Sequence, residues 1–262
     1  MARRLNSVRY LAAAARWIAW RQHAGAAVCA AVLACGVFGF AIERASFAGP
    51  PAPGGGANRV KSGTGFFVSL DGFLMTSAHV VAGCSNVSIW ANDGIERPAY
   101  PVGSDAKHDI ALLYGGYDVP RNAAILSREP PYPGQDVYTL GLGVHAENPL
   151  KPMLVGGPYV GDDTASSGNR ILLVRAKLRA GNSGGALVGS DGSLLGMIIG
   201  RDEARPEMGV AIPSSDIEAL LAANRIPLPV EPPQPTSAPA LLNAISVLIQ
   251  CSPPASHAAD KR

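Results

Sequence analysis

Cysteine, charge and aromatic residues are all scarce in this chain. Only four cysteines occur in 262 residues, and none forms a Cys-x-x-Cys pair, which excludes the common zinc and redox motifs built on that spacing. Cys29 and Cys35 fall in an apolar N-terminal stretch, whereas Cys84 and Cys251 lie far apart. Their spacing leaves a Cys84–Cys251 bridge open, and two unpaired thiols are the expectation. Charged residues make up 16% of the chain and aromatics 6%, but hydrophobic residues reach 47%. That supply suffices for a core and excludes global disorder. A net charge of +2 lacks the strongly basic balance of a nucleic-acid binder. His23, His145 and His257 stand in no metal-ligand spacing, and neither a metal nor another cofactor is expected.

The charge is unevenly placed. Arg3, Arg4, Arg9, Arg16 and Arg21 lead the chain, residues 1–23, with no acidic residue among them. Ala24 to Ile42 then runs without a charge. As a helix this stretch spans roughly 28 Å, close to the thickness of a bilayer core. Arginine before it predicts an N-in, C-out orientation. Two readings stand: a retained transmembrane signal anchor over 24–42, which its length and long basic lead favour, or a signal peptide cut after Ala48, where small residues precede the cleavage point. Either places the remainder in an extracytoplasmic space, with the inner membrane and periplasm, or the cell exterior, as the expected address. Residues 43–58, rich in proline and glycine, read as a linker.

Three separated stretches carry the chemistry. Leu74-Met-Thr-Ser-Ala-His-Val-Val81 puts His79 at the end of an apolar run. In His108-Asp-Ile-Ala-Leu-Leu113, Asp109 opens a strand-like run. In Gly181-Asn-Ser-Gly-Gly185, Ser183 lies among glycines that allow a tight turn and close approach of other atoms. The chain order His, Asp, Ser is that of the chymotrypsin arrangement. With Ser62-Gly-Thr-Gly-Phe-Phe-Val68, Asp71-Gly-Phe-Leu-Met-Thr-Ser-Ala-His79 and Gly209-Val-Ala-Ile-Pro213, these pieces resemble a trypsin-like serine peptidase of the bacterial HtrA/DegP type. They span about 150 residues in the family's order.

The fold expected is all-β. Strand-like runs occur at 65–69, 73–76, 86–91, 97–102, 109–114, 136–141, 153–160, 170–176, 185–189, 194–200 and 208–212, and short strands at such spacing suit barrels or sandwiches. Asp71-Gly72, Asp93-Gly94 and Asp191-Gly192 mark hairpins. A faint repeat aligns Gly65–Gly72 with Gly185–Gly192. The resemblance implies two six-stranded β-barrels, chymotrypsin-like, over residues 59–226, with the site in the groove between them and residues 115–135 crossing from one to the other. A helix is expected from Ser214 to Asn224, capped by Ser215 with Glu218 as reciprocal partner. Residues 227–262 read as a proline-rich tail whose apolar run, Ala240–Gln250, is either a docking helix or unstructured. About thirty-six residues after the helix are too few for the PDZ domain that usually follows an HtrA protease, which puts the family's peptide sensing and cage-like assemblies in doubt; the oligomeric state stays open.

On the resemblance, Ser183 would be the nucleophile, His79 its general base, and Asp109 the group that fixes the imidazole. The amides of Gly181 and Ser183 would form the oxyanion hole. Protein or peptide substrates are implied, and the activity is that of a serine endopeptidase in envelope protein quality control. A catalytically silent binding or chaperone-like module, and an esterase using the same groups, are the alternatives. For the P1 side chain there are two readings. Lys177, six residues before the serine, would select acidic residues if it faces the pocket. An apolar pocket near Ile199, Gly200, Val210 and Ala211, with Lys177 pointing outward, would select aliphatic ones and is preferred. His108 is expected to face solvent. Val80 follows His79 where animal secreted relatives often carry a disulfide cysteine, and Asn182 replaces the aspartate of digestive zymogens, so activation by a newly cut N-terminus is not expected.

Overall fold

The computed structural model describes residues 60–116, 122–143, 150–228 and 237–254. Its strands, in chain order, are β1 (Lys61–Phe67), β2 (Phe73–Ser77), β3 (Asn86–Trp90), β4 (Glu96–Asp105), β5 (Ile110–Tyr114), β6 (Asp136–Gly141), β7 (Met153–Thr164), β8 (Arg170–Arg175), β9 (Ala186–Gly189), β10 (Leu194–Arg201), β11 (Met208–Pro213) and β12 (Ser246–Ser252). Three helices accompany them: α1 (Ala78–Val81), α2 (Ser214–Ala223) and α3 (Ala238–Ile245). All eleven expected strands form, and β12 is an addition. The segments 1–23, 24–42 and 43–58, and with them the transmembrane expectation, lie outside the described residues. Among the described residues no helix is long and apolar enough to cross a membrane.

The strands close into two antiparallel six-stranded barrels, ordered β1-β12-β3-β4-β5-β2 and β10-β11-β8-β7-β6-β9. Among the described residues closure leaves no open sheet edge. The first barrel is filled by Phe67, Leu74, Val80, Val87, Ile89, Leu113, Val247 and Ile249. The second is filled by Val137, Tyr159, Leu172, Val174, Leu187, Leu195 and Ile198 among others. The Asp-Gly hairpins form as expected, with Gly72, Gly94 and Gly192 at positive φ. Residues 122–127 are stitched to both barrels: Ala124 N donates to Phe67 O and Leu194 N to Ile125 O.

The stretch read as a tail needs correction. β12 lies between β1 and β3, pairing Thr64 with Leu248 and Ile89 with Ile249. The domain therefore does not end at residue 226. In the second barrel the first strand in sequence, β6, lies between β7 and β9. In the first barrel the equivalent place, beside β1 and β3, is filled by β12, the last of the described strands. The two barrels thus share one topology, with the opening strand of the first supplied from the C-terminus. The faint repeat of Gly65–Gly72 with Gly185–Gly192 does not reflect this symmetry, because β1 takes the second place in its barrel and β9 the fourth. The apolar run 240–250 hid the strand because it changes period part-way. Ser237 caps α3 by accepting from Ala240 N, α3 buries Leu241, Leu242 and Ile245, and the extended run begins at Ser246.

Two further expectations change. Cys84 and Cys251 form a disulfide with Cα atoms 5.4 Å apart; the thiols are not free. β12 brings Cys251 opposite Val87, just after Cys84, and this proximity exists only through the pairing of β12 with β3. The helix α2 starts with Pro213 as N-cap and no side-chain cap, so the Ser215–Glu218 capping box does not form. Its buried face, Ile217, Leu220 and Leu221, is the expected one.

Candidate active site

β2 runs to Ser77, where the chain turns into the single helical turn α1, which carries His79. Beside it β5 begins at Ile110, preceded by Asp109 in the left-handed region at φ 56°. Aspartate tolerates this conformation better than most residues, and the conformation lets one residue reach its neighbour by three routes. Asp109 O accepts from Ala78 N at 3.0 Å. Asp109 Oδ1 accepts from His79 N at 2.9 Å. Asp109 Oδ2 lies 2.7 Å from His79 Nδ1. A carboxylate only accepts, so Nδ1 carries the proton, and in the neutral imidazole that leaves Nε2 as the acceptor. The imidazole is about half exposed and open to a reactant.

His108, expected in solvent, is partly buried and pairs with Asp105 Oδ2 at 2.6 Å. This hydrogen bond holds the Asp105 carboxyl below its usual range. Asp216, at the start of α2, is pushed upward, mainly by burial.

Ser183 sits in the turn that leads from β8 to β9. Gly181 and Gly184 adopt φ values of 94° and 84°. A side chain on Gly184 would run into Thr64 O, Thr76 Oγ1 and Ser77 N, so the turn is pressed against the first barrel next to the residues leading into α1. Gly63 lies between Val80 and Ser183 O, with room for no side chain. Thus His79 and Ser183 come from different barrels and flank one seam. The Ser183 hydroxyl is directed at Ile199 O, 3.4 Å away, and makes no hydrogen bond to His79.

The backbone around Ser183 leaves two donors unclaimed. Among the described residues, neither Gly181 N nor Ser183 N has an acceptor, whereas Asn182 N donates to Arg179 O, Gly184 N to Ile198 O and Gly185 N to Asn182 O. Asn182 is buried, with Oδ1 accepting from Arg179 N at 2.9 Å; its Nδ2 has no partner.

The residues expected around the P1 side chain divide. Gly200 pairs with Val210 and Ile198 with Ala211 across β10 and β11. Ile199, Gly200 and Val210 are partly exposed, with Ile199 O facing the Ser183 hydroxyl, whereas Ala211, expected at the pocket, is wholly buried in the core of the second barrel beside Ile198, because neighbouring strand residues face opposite sides. Lys177 is exposed, and the chain turns Leu178 inward instead, 5% exposed and packed on Gly209. Sequence reasoning passed over two residues of this neighbourhood, Leu178 and Thr64. For Thr64 the signal was present: a threonine between two glycines, Gly63 and Gly65.

Comparison with known proteins agrees with this architecture. The family model described as trypsin-like peptidase domain matches residues 63–197, just over half of the chain. The serine protease Rv3671c of Mycobacterium tuberculosis is 31% identical over 172 residues, covering 63% of this chain and 42% of the relative. A probable periplasmic serine endoprotease, DegP-like, from Halomonas elongata is 32% identical over 159 residues, covering 56% and 31%. The solved HtrA-type protease AlgW with decapeptide superposes with a TM-score of 0.56 at 26% identity, covering 62% of this chain and 51% of that one. The chain spans less than half the length of these curated relatives. On the family match and the paired barrels, the chain belongs to the trypsin-like peptidase family, with HtrA- and DegP-type proteins among its relatives.

Proposed function

We propose that this protein is a serine endopeptidase that cleaves through an acyl-enzyme, with Ser183 as nucleophile, His79 as general base and Asp109 as the group that orients the imidazole. The observation that carries the proposal is the grip of Asp109 on Ala78 and His79, across the seam from a serine with two unclaimed amides. A serine hydroxyl is a weak nucleophile until a base removes its proton. Rotation of the Ser183 side chain away from Ile199 O brings Oγ toward Nε2. His79 takes the proton as Oγ attacks the peptide carbonyl, and returns it to the leaving amine. The carbonyl oxygen becomes an anion stabilised by Gly181 N and Ser183 N. A donor already aimed at that point costs no reorganisation during reaction, and losing one costs on the order of 10²–10³ in turnover. Water then hydrolyses the acyl-enzyme by the same proton relay.

Ile199, Gly200 and Val210, partly exposed on the strands beside Ser183, with Lys177 turned to solvent, favour aliphatic P1 side chains over the acidic ones a pocket-facing Lys177 would select. Residues 24–42 anchor the protein in the membrane with the peptidase on the extracytoplasmic side, where it acts in envelope protein quality control. The Cys84–Cys251 bridge supports that compartment, because disulfides persist in oxidising spaces. A fluorophosphonate probe tests the chemistry. Labelling of the full chain that is lost in Ser183→Ala supports the peptidase. A folded wild-type chain that takes no label supports the silent module instead.

A further inference from the structure

The Ser183 turn belongs to the second barrel, but its backbone is held from the first. Thr64, fully buried in β1, donates its amide to Ser183 O at 2.9 Å. Its hydroxyl donates to Gly181 O at 2.6 Å and accepts from Leu142 N at 3.1 Å. Its own carbonyl accepts from Thr76 Oγ1 at 2.8 Å. Every polar group of the residue is therefore engaged, and two of its bonds end on the turn.

The pattern along the turn gives these bonds their meaning. Four successive peptide planes run from Ala180 to Gly184. The first presents Gly181 N and the third presents Ser183 N, the two unclaimed donors. The second carries Gly181 O and the fourth carries Ser183 O, the two atoms that Thr64 holds. The third plane has an additional tie, from Gly185 N to Asn182 O. The first has none: Ala180 is exposed, and its carbonyl accepts no hydrogen bond among the described residues. A peptide between an exposed residue and a glycine at positive φ turns over easily. The plane that follows it resists this rotation, held by the Thr64 hydroxyl on Gly181 O at 2.6 Å and, more loosely, by Asn182 N on Arg179 O at 3.2 Å.

We infer that Thr64 is a positioning residue whose hydroxyl, by anchoring Gly181 O, keeps Gly181 N aimed at the oxyanion. This rests on the peptidase reading above and deepens it. Preorganised donors help only if they already point at the charge as it develops. The residue that sets the donor's direction is thus as much a part of the rate as the donor, although it never touches substrate.

The test compares wild type, Thr64→Val, Thr64→Ser and Ser183→Ala, all as the full chain. Fluorescein-casein turnover is expressed per folded molecule, and second-order labelling by a fluorophosphonate is measured alongside, since its phosphoryl oxygen occupies the same donors. Thr64→Val is expected to lower kcat 10- to 100-fold with KM within about twofold, and to slow labelling in parallel. Thr64→Ser, which restores a hydroxyl, should recover both to within about threefold. A folded Thr64→Val with wild-type kcat and labelling overturns the inference, as does a Thr64→Ser no better than Val. If Thr64→Val does not fold, Thr64→Ala, which frees the same carbonyl but leaves room for water, is read against Thr64→Ser by the same criteria. Wild type inert to both probes sinks the peptidase reading itself, an outcome distinct from an active wild type that is indifferent to residue 64.

Discussion

Leu248 lies directly opposite Thr64 in the β12–β1 pair, so the C-terminal strand backs the residue that holds the Ser183 turn. Val247, Leu248 and Ile249 are wholly buried. Burying each is worth about 1.5–3 kcal/mol, and their sum is comparable to the whole stability of an ordinary domain. A chain ending at Ile226 would also expose the facing edges of β1 and β3. Such a truncated chain is expected to show no cooperative thermal transition and no fluorophosphonate labelling. The check is a circular-dichroism melt with labelling of the same sample. A folded, labelled truncation would show that β12 is dispensable.

The disulfide tests the same junction more gently. Cys84 and Cys251 are 167 residues apart in sequence, and a cross-link over a long loop restricts the unfolded chain strongly. Removing a native bridge typically costs 2–5 kcal/mol. β12 keeps its hydrogen bonds to β1 and β3 without the bridge, so Cys84→Ser is expected to fold with a lower melting temperature and to retain labelling. Reductant should lower the melting temperature of wild type by a similar amount and leave Cys84→Ser unmoved. Equal melting temperatures with and without reductant would refute a stabilising role.

Much of this architecture was legible because it is local. Alternating apolar runs and Asp-Gly turns located eleven strands within a few residues, and the spacing around His79, Asp109 and Ser183 singled out three side chains, of which the fold pairs His79 with Asp109 directly. β12 was not legible, since its pairing depends on a chain reversal across some 180 residues that no local pattern encodes, and α3 merges with it in one apolar run. The disulfide was hidden for the same reason. The Ser215 cap failed because α2 already begins at Ser214: Pro213, with its fixed φ, takes the extended N-cap conformation and leaves Ser215 inside the first turn. Thr64 was passed over because a buried hydroxyl's partners are set by packing between barrels.

Stability at alkaline pH depends on Tyr159. Its hydroxyl donates to Asp162 Oδ1, and Arg170 Nε donates to Asp162 Oδ2 at 2.7 Å. Burial, reinforced by the Asp162 charge, pushes the phenol up to about 12 from its ordinary 10.0. The folded chain therefore holds this proton more tightly than the unfolded one. The resulting stability is complete below pH 10 and is lost as pH rises toward 12, by at most about 2–3 kcal/mol. Tyr159→Phe removes one buried hydrogen bond, worth about 1 kcal/mol, and with it this titration. The variant should be the less stable at pH 8, and the gap should close near about pH 11 and reverse toward pH 12. Urea unfolding of both proteins across that range is the check, because other groups titrating there are common to both. A constant gap would show that Tyr159 does not contribute.

Asp109 separates geometry from charge. Asparagine, like aspartate, accepts the left-handed conformation at φ 56°, so Asp109→Asn should keep the bond from Ala78 N to the residue's own carbonyl and the turn into β5. Its side-chain oxygen can still accept from only one of its two present donors, His79 N and His79 Nδ1. Where the amide nitrogen faces the ring, it donates to Nδ1, the proton moves to Nε2, and the imidazole can no longer take the Ser183 proton. For this arrangement the expected loss in turnover is about 10⁴-fold, with a melting temperature near that of wild type. Asp109→Ala should lose comparable activity and, in addition, stability, because alanine is strained at positive φ and leaves His79 N unbound. Casein hydrolysis and thermal melts on the two variants distinguish the cases. If Asp109→Asn kept more than a tenth of wild-type turnover, the carboxylate would not be the group that directs the imidazole.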